Sequence, residues 1–182
     1  MPNIFDNPRR HSHFRWGALG DIREGRGDLG EDMPVLVYRL MQFTMLDVLS
    51  REFGEPEANR LFRRSGHLAG TEFARNALNL KLDFDGFVAD LQRALREHGI
   101  GILRMERFDA DTGDIVLTVA QDLDCSGLAI TNENVCTYDE GFIAGVLEAF
   151  TGRRYDVREV DCWASGDRVC RFSGRLSGGE SG

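Results

Sequence analysis

The chain has 182 residues, a formal net charge of −8 at pH 7 and a sequence pI near 5.0. A chain of this length fits one domain and can bury about 70% of the surface that its unfolded form exposes. The acidic balance argues against a nucleic-acid-binding surface, which needs clustered Lys and Arg. No signal-peptide pattern and no apolar run of about 18 residues is present, so we expect a cytoplasmic protein without a membrane span.

The N-terminal part is polar and rich in glycine. We expect residues 1–12 to be a flexible N-terminus, residues 13–176 to form a single domain and residues 177–182 to be a disordered tail. The aromatic and aliphatic residues between Phe14 and Gly30 lie among several glycines, which predicts a short, bent β-hairpin.

Three amphipathic helices follow. Asp32 is expected to cap the first, which Pro34 enters. Its predicted buried stripe consists of Val37, Leu40, Met41, Thr44, Met45, Val48 and Leu49. The second starts near Pro56, and its Gly66 and Gly70 lie one turn apart, so another backbone could approach closely there. Asp83 or Asp85 caps the third, which ends at Gly99.

After residue 100 the apolar period changes from helical to two-residue. Leu103 and Met105 alternate with polar residues, a turn follows over 111–113, and a second alternating run contains Leu117. A third short strand is predicted over 128–130. Helices followed by a meander of strands predict an α+β fold, with helices packed on one face of an antiparallel sheet.

The segment from Cys136 to Cys170 is the most informative part of the chain. Thr137 and Glu140 have the form of a capping box, so a helix should begin just after Cys136 and stop at Gly152. Residues 155–159 then alternate as in a strand, and this alternation places Glu159 on the apolar face. A turn over 165–167 closes a hairpin.

Counting outward from this turn pairs Cys162 with Cys170 on facing strands. Cys136, Glu159, Cys162 and Cys170 could therefore meet as one tetrahedral zinc site. Two other interpretations stay open: the cross-strand pair could be a disulfide, and buried cysteines are often small apolar residues. A reducing cytoplasm favours the metal over the disulfide. Cys125 is left over, and we interpret it as a small core or surface residue.

The same segment resembles the 4-vinyl reductase domain family, which includes the aromatic-sensing domains of phenol- and xylene-responsive transcription activators and proteins of bacteriochlorophyll synthesis. The shared pattern is a Cys before a helix bearing Gly-Phe and Gly, a strand ending in Glu-x-x-Cys, then Gly-Asp and a final Cys before an aromatic. These elements are Cys136, Gly141-Phe142, Gly145, Glu159 to Cys162, Gly166-Asp167 and Cys170 with Phe172.

The resemblance implies that Cys136, Glu159, Cys162 and Cys170 are the zinc ligands. It also implies the ligand-binding fold seen in a Golgi vesicle-tethering subunit and in haem-based nitric oxide sensors. Sensing relatives signal through further domains, so this chain would act on a separate regulatory protein or through a homodimer.

Four protein ligands close a zinc shell, so the metal is expected to be structural. No nucleophile elbow, phosphate loop or dinucleotide fingerprint is present, which favours binding over catalysis. We therefore expect a sensor for a hydrophobic, possibly aromatic, small molecule in a pocket between helices and sheet. The expected pocket residues are Phe87, Leu91, Leu117, Phe142 and Val157, and ordinary core is the alternative interpretation of each. A tetrapyrrole or hydrophobic-compound carrier, a vinyl-reductase-like biosynthesis factor and a structural adaptor remain alternatives, and the natural ligand stays open.

Overall fold

A computed structural model describes residues 14–177. The expected flexible N-terminus at 1–12 and nearly all of the expected tail at 177–182 lie outside this range. The chain divides into two compact units, one ending at Asp32 and the other beginning at Met33.

The first unit is helical where the sequence predicted a β-hairpin, so that prediction is wrong. A 3₁₀ turn spans Trp16–Leu19, and a single α-helical turn, α1, spans Ile22–Gly25. Gly20 ends the 3₁₀ turn at a φ of 74°. The Asp21 side chain then accepts a hydrogen bond from the Glu24 amide at 3.0 Å. These local bonds satisfy backbone groups that a hairpin would have paired across strands.

The helices of the second unit are α2 (Val35–Phe53), α3 (Glu55–Ala77), α4 (Phe84–Glu97) and α5 (Thr137–Thr151). Asp83 is the N-cap of α4 and accepts from the Gly86 amide at 2.9 Å, as predicted. Asp32 does not cap α2, because Pro34 occupies the N-cap position. The helix therefore begins without a side-chain cap.

Four antiparallel strands form one sheet in the order β1-β2-β4-β3. They are β1 (Ile102–Phe108), β2 (Ile115–Ala120), β3 (Tyr155–Asp161) and β4 (Cys170–Leu176). Helices with an antiparallel sheet confirm the predicted α+β class. The strand predicted over 128–130 is absent. These residues lie in a loop, in which the Leu128 amide donates to the Cys125 carbonyl. The Thr131 and Asn132 amides both donate to the Ala164 carbonyl.

Helices α3 and α5 pack so closely that their backbones touch through glycines. A Cβ added at Gly66 would overlap the Tyr138 carbonyl oxygen, and one added at Gly70 would overlap that of Phe142. From the other side, Gly141 lies against the carbonyl of Arg63. The close approach expected from the one-turn spacing of Gly66 and Gly70 is therefore present, and it fixes α5 against α3.

Helix α2 leaves most of its apolar side chains exposed. In the described range Gln42 is its one buried residue, whereas Leu40 is 62% exposed and Met41 is 61% exposed. The predicted buried stripe is therefore wrong within this single chain. The helical period was read correctly, but the described residues leave most of this face of α2 exposed.

Candidate functional site

Four cysteine side chains meet beneath the N-terminus of α5. Cys136 is the N-cap of α5, Cys162 follows β3, Cys170 begins β4, and Cys125 lies in the loop after β2. All four are free and fully buried. Their Sγ atoms lie within 4.8 Å of one another. We call these four residues the thiol cluster.

The distances within the thiol cluster approach those of a tetrahedral metal shell. The Sγ of Cys136 lies 3.9 Å from that of Cys162 and 3.9 Å from that of Cys170. A Zn–S length of about 2.3 Å places sulfurs about 3.8 Å apart in a regular tetrahedron. The Cys125–Cys170 separation is 3.0 Å, so a regular shell requires these two sulfurs to move apart by several tenths of an ångström. The buried, all-sulfur donor set suits a soft or borderline cation such as zinc.

Glu159 borders the thiol cluster from β3. It is buried, as its predicted place on the apolar face of the strand requires. Its Oε2 accepts the Cys136 amide at 3.1 Å, whereas its Oε1 is buried without a hydrogen-bond partner among the described residues. Burial raises the pKa of this carboxyl to about 8. The carboxyl group therefore helps to hold the start of α5 through its bond to the Cys136 amide, and its other oxygen is uncommitted.

One thiol of the cluster is favoured as the thiolate. The pKa of Cys162 lies below its usual range because the thiols of the other three cysteines hydrogen-bond to it, that of Cys125 foremost. The pKa of Cys136 is raised because its own thiol bonds to Cys125. Cysteine binds a metal as the thiolate, and the four clustered side chains could hold a metal ion.

Sequence reasoning missed Cys125. It lies eleven residues before Cys136 in a stretch with no clear period, and no local spacing links it to the other cysteines. The available signal was the count: a chain with four cysteines, three of them already assigned to one site, leaves the fourth as a candidate ligand.

The predicted Thr137–Glu140 capping box does not form, and Glu140 binds elsewhere. Its Oε2 accepts from Arg63 Nε at 2.8 Å, and its Oε1 accepts from the Glu159 amide at 2.9 Å. Glu140 thus joins α5 to α3 and to β3. Helix α5 nevertheless begins at Thr137 and ends with Gly152 in the left-handed region, as the sequence predicted.

An apolar cavity lies between α4, α5 and the sheet. Four of the five predicted pocket residues line it, namely Phe87, Leu91, Leu117 and Phe142, whereas Val157 does not and is buried elsewhere in the core. The cavity has a volume of about 30 Å³. Ligand pockets usually measure about 300–1,000 Å³, so a small molecule could enter only if lining side chains moved.

Two carboxylates interrupt the apolar wall of this cavity. Asp122 follows β2, Asp139 belongs to the first turn of α5, and both line the cavity. Oxygens of the two side chains lie within 4.8 Å of each other and of the Cys136 sulfur. The acidic end of the cavity therefore adjoins the thiol cluster.

Neighbouring groups satisfy Asp122 but leave one oxygen of Asp139 free. Asp122 Oδ1 accepts the amides of Asp124 and Cys125 at 2.8 and 3.2 Å. The neighbouring Asp124 accepts a separate hydrogen bond from Tyr38 Oη at its Oδ1, at 2.8 Å. Asp139 Oδ2 is buried and has no hydrogen-bond partner in the described part of the chain. Burial raises the pKa of Asp139 well above its usual range.

The family model of the 4-vinyl reductase domain matches residues 115–176. This confirms the predicted resemblance to that family. The matched residues cover β2, α5, β3 and β4, and therefore include the whole thiol cluster.

Similar proteins extend the resemblance beyond the matched domain. Protein MJ1642 of Methanocaldococcus jannaschii is 25% identical over 149 residues, which are 82% of this chain and 81% of that protein. A vinyl-4-reductase family protein from the same organism has a similar structure, with a TM-score of 0.61 and 15% identity over 92% of this chain and all of the other.

Two further structures share the fold. The phenol-responsive sensory domain of the transcription activator PoxR, solved with phenol, has a TM-score of 0.62 and 18% identity over 79% of this chain and 75% of its own. A trafficking protein particle complex subunit 3 from Naegleria fowleri, covalently bound to palmitic acid, has a TM-score of 0.57 and 13% identity. The match covers 80% of this chain and 98% of that subunit. The fold expected from the family resemblance is thereby confirmed. No described helix is both long and apolar enough to span a bilayer.

Proposed function

We propose that this protein is a small-molecule-binding module whose ligand, a hydrophobic and possibly aromatic compound, occupies the cavity between α4, α5 and the sheet. The observation that carries the proposal is that four residues chosen from the sequence line one largely apolar cavity, namely Phe87, Leu91, Leu117 and Phe142. The match to the 4-vinyl reductase domain and the similarity in fold to a phenol-responsive sensory domain support a sensing role.

The cavity would have to widen before such a ligand could bind. Phe142 is partly exposed and packs against Phe73, with ring centroids 5.5 Å apart at a tilted angle. Phe87 is more constrained, because it stacks face to face on Phe150 with centroids 3.9 Å apart. Phe142 is therefore the side chain that would move, and its displacement on α5 would report occupancy to the surface of the domain.

The metal in this proposal has a structural role. Cys136, Cys162 and Cys170 would bind zinc from three separate chain segments, tying the start of α5 to β4 and to the end of β3. The Sγ distances favour Cys125 as the fourth ligand, whereas the family resemblance implies Glu159. Either set closes the shell and leaves no open position for catalysis, which is why binding is favoured over hydrolysis.

Two substitutions distinguish the two ligand sets. Zinc per chain should be measured by inductively coupled plasma mass spectrometry on Cys125→Ser, Glu159→Gln and the wild type. If Cys125 is the fourth ligand, Cys125→Ser loses zinc and Glu159→Gln keeps it. The reverse pattern would assign Glu159, and a wild type purified without any metal would remove zinc from the proposal.

Ligand binding is tested by native mass spectrometry of protein purified without added compound. A bound aromatic mass supports the sensor. A Soret-like absorbance would instead favour a tetrapyrrole carrier, and an acyl mass a lipid-holding adaptor. Binding of no compound, natural or added, would contradict the proposal.

Signalling would pass through a homodimer or to a separate regulatory protein. The exposed apolar side chains of α2 support the homodimer, in which a second copy of the chain would pack against this apolar face of the helix. Leu36, Leu40, Met41, Met45 and Val48 of α2 are each more than half exposed. Burying them against an identical face would remove a large apolar area from water.

A further inference from the structure

The carboxylate of Asp139 is placed as a ligand-binding group would be. It lines an apolar cavity, and its Oδ2 is buried with no hydrogen-bond partner among the described residues. A buried unpaired carboxylate oxygen is costly, because its lost hydration is not replaced. Such an atom is stabilised when a bound molecule supplies the missing donor.

The surroundings of Asp139 select the kind of donor. Asp122 lines the same wall, with an oxygen within 4.8 Å of an Asp139 oxygen, and the cavity-lining residues of the described chain include no Lys, Arg or His. The nearby Arg39 guanidinium donates instead to two backbone carbonyls, that of Leu123 at 2.8 Å and that of Ser126 at 2.9 Å. The two carboxyl groups therefore face no basic side chain among the described residues that line the cavity.

The rest of the wall selects the body of the ligand. Apart from the two aspartates, every residue that lines the cavity is aliphatic, aromatic or Met, including Phe87, Leu91 and Val146. A fully polar cation would leave this surface without complementary contacts. A molecule with an apolar body and a single compact donor group matches both parts of the wall.

We infer that the cavity takes a hydrophobic amine, whose nitrogen lies between Asp139 and Asp122 and whose apolar body lies against α4 and the sheet. An amine offers two or three N–H donors, so one nitrogen can bond to both carboxylates. An ammonium group beside the two carboxyls would favour their ionised form in a site of low dielectric. This inference rests on the proposed function and specifies the ligand class for the same cavity.

Three probes with similar apolar bodies test the inference: benzylamine, benzyl alcohol and toluene, titrated at pH 7 by isothermal titration calorimetry. A hydrogen bond to a charged group contributes about 1.5–3 kcal/mol, so benzylamine should bind about 10- to 150-fold more tightly than toluene. Benzyl alcohol should fall between them.

Asp139→Asn removes the charge while keeping the shape of the side chain. It should reduce benzylamine affinity about tenfold or more and leave toluene affinity within twofold, which also shows that the variant is folded. The control, Asp85→Asn, removes an exposed acidic charge from α4 and should change neither affinity. It separates a local contact from the effect of net charge.

The outcomes distinguish the two levels of the proposal. Equal wild-type affinities for benzylamine and toluene, tighter binding of benzyl alcohol than benzylamine, or an unaltered amine preference in Asp139→Asn would overturn the amine inference and leave small-molecule binding intact. If none of the three probes binds the wild type, the proposed function and the inference both fail.

Discussion

Substituting Gly70 with alanine tests the contact on which the position of α5 depends. An added Cβ would lie 2.8 Å from the carbonyl carbon and 2.9 Å from the Cα of Phe142, and would overlap its carbonyl oxygen. All three atoms are backbone, so no side-chain rotation can relieve the overlap. The two helices would have to separate by about 1 Å to restore ordinary contact distances.

The expected cost follows from two opposing effects. Overpacking a close contact typically costs about 1–3 kcal/mol, and an obstacle made of backbone favours the upper end. Alanine recovers up to about 1 kcal/mol over glycine in a helix interior. We therefore expect Gly70→Ala to lower the free energy of unfolding by about 2 kcal/mol, which corresponds to a Tm decrease of about 4–8 °C for a chain of this size.

Urea and thermal unfolding followed by circular dichroism would measure this change. The matched control is Ser65→Ala, an exposed position in the same helix, which should shift stability by no more than about 0.5 kcal/mol. A Gly70→Ala protein as stable as the wild type, or more stable, would refute the close backbone contact between α3 and α5.

Three further predictions concern the metal, the cavity and the oligomer. Cys170→Ser should lower zinc content and thermal stability together, because structural metal binding is coupled to folding; an unchanged zinc-to-protein ratio would remove Cys170 from the site. Phe87→Trp should change the affinity for a hydrophobic fluorescent probe without loss of zinc, and identical titrations would show that the cavity is not where the probe binds. Leu40→Glu should convert a dimer to a monomer in light scattering after size exclusion, whereas the exposed, charged Arg64→Glu on α3 should leave the mass unchanged.

The sequence by itself determined most of the local structure and three members of the thiol cluster. The two-residue period placed Glu159 on the buried face of β3, the helical period placed Phe87 and Leu91 on one face of α4, and Gly152 ended α5. These features depend on backbone geometry over a few residues, which a local pattern records directly.

Only the tertiary structure decided which groups meet. Cys125 joins the cluster because the loop after β2 folds back onto the start of β4, a contact between residues 45 positions apart that no local period encodes. Asp139 becomes a cavity residue because α5 lies beside α4 and the sheet, whose lining residues are distant from it in sequence. The periodicity of α2 correctly predicted a helix but not which of its faces is buried. A pattern of apolar residues indicates which face tends to avoid water, and it does not indicate what packs against that face.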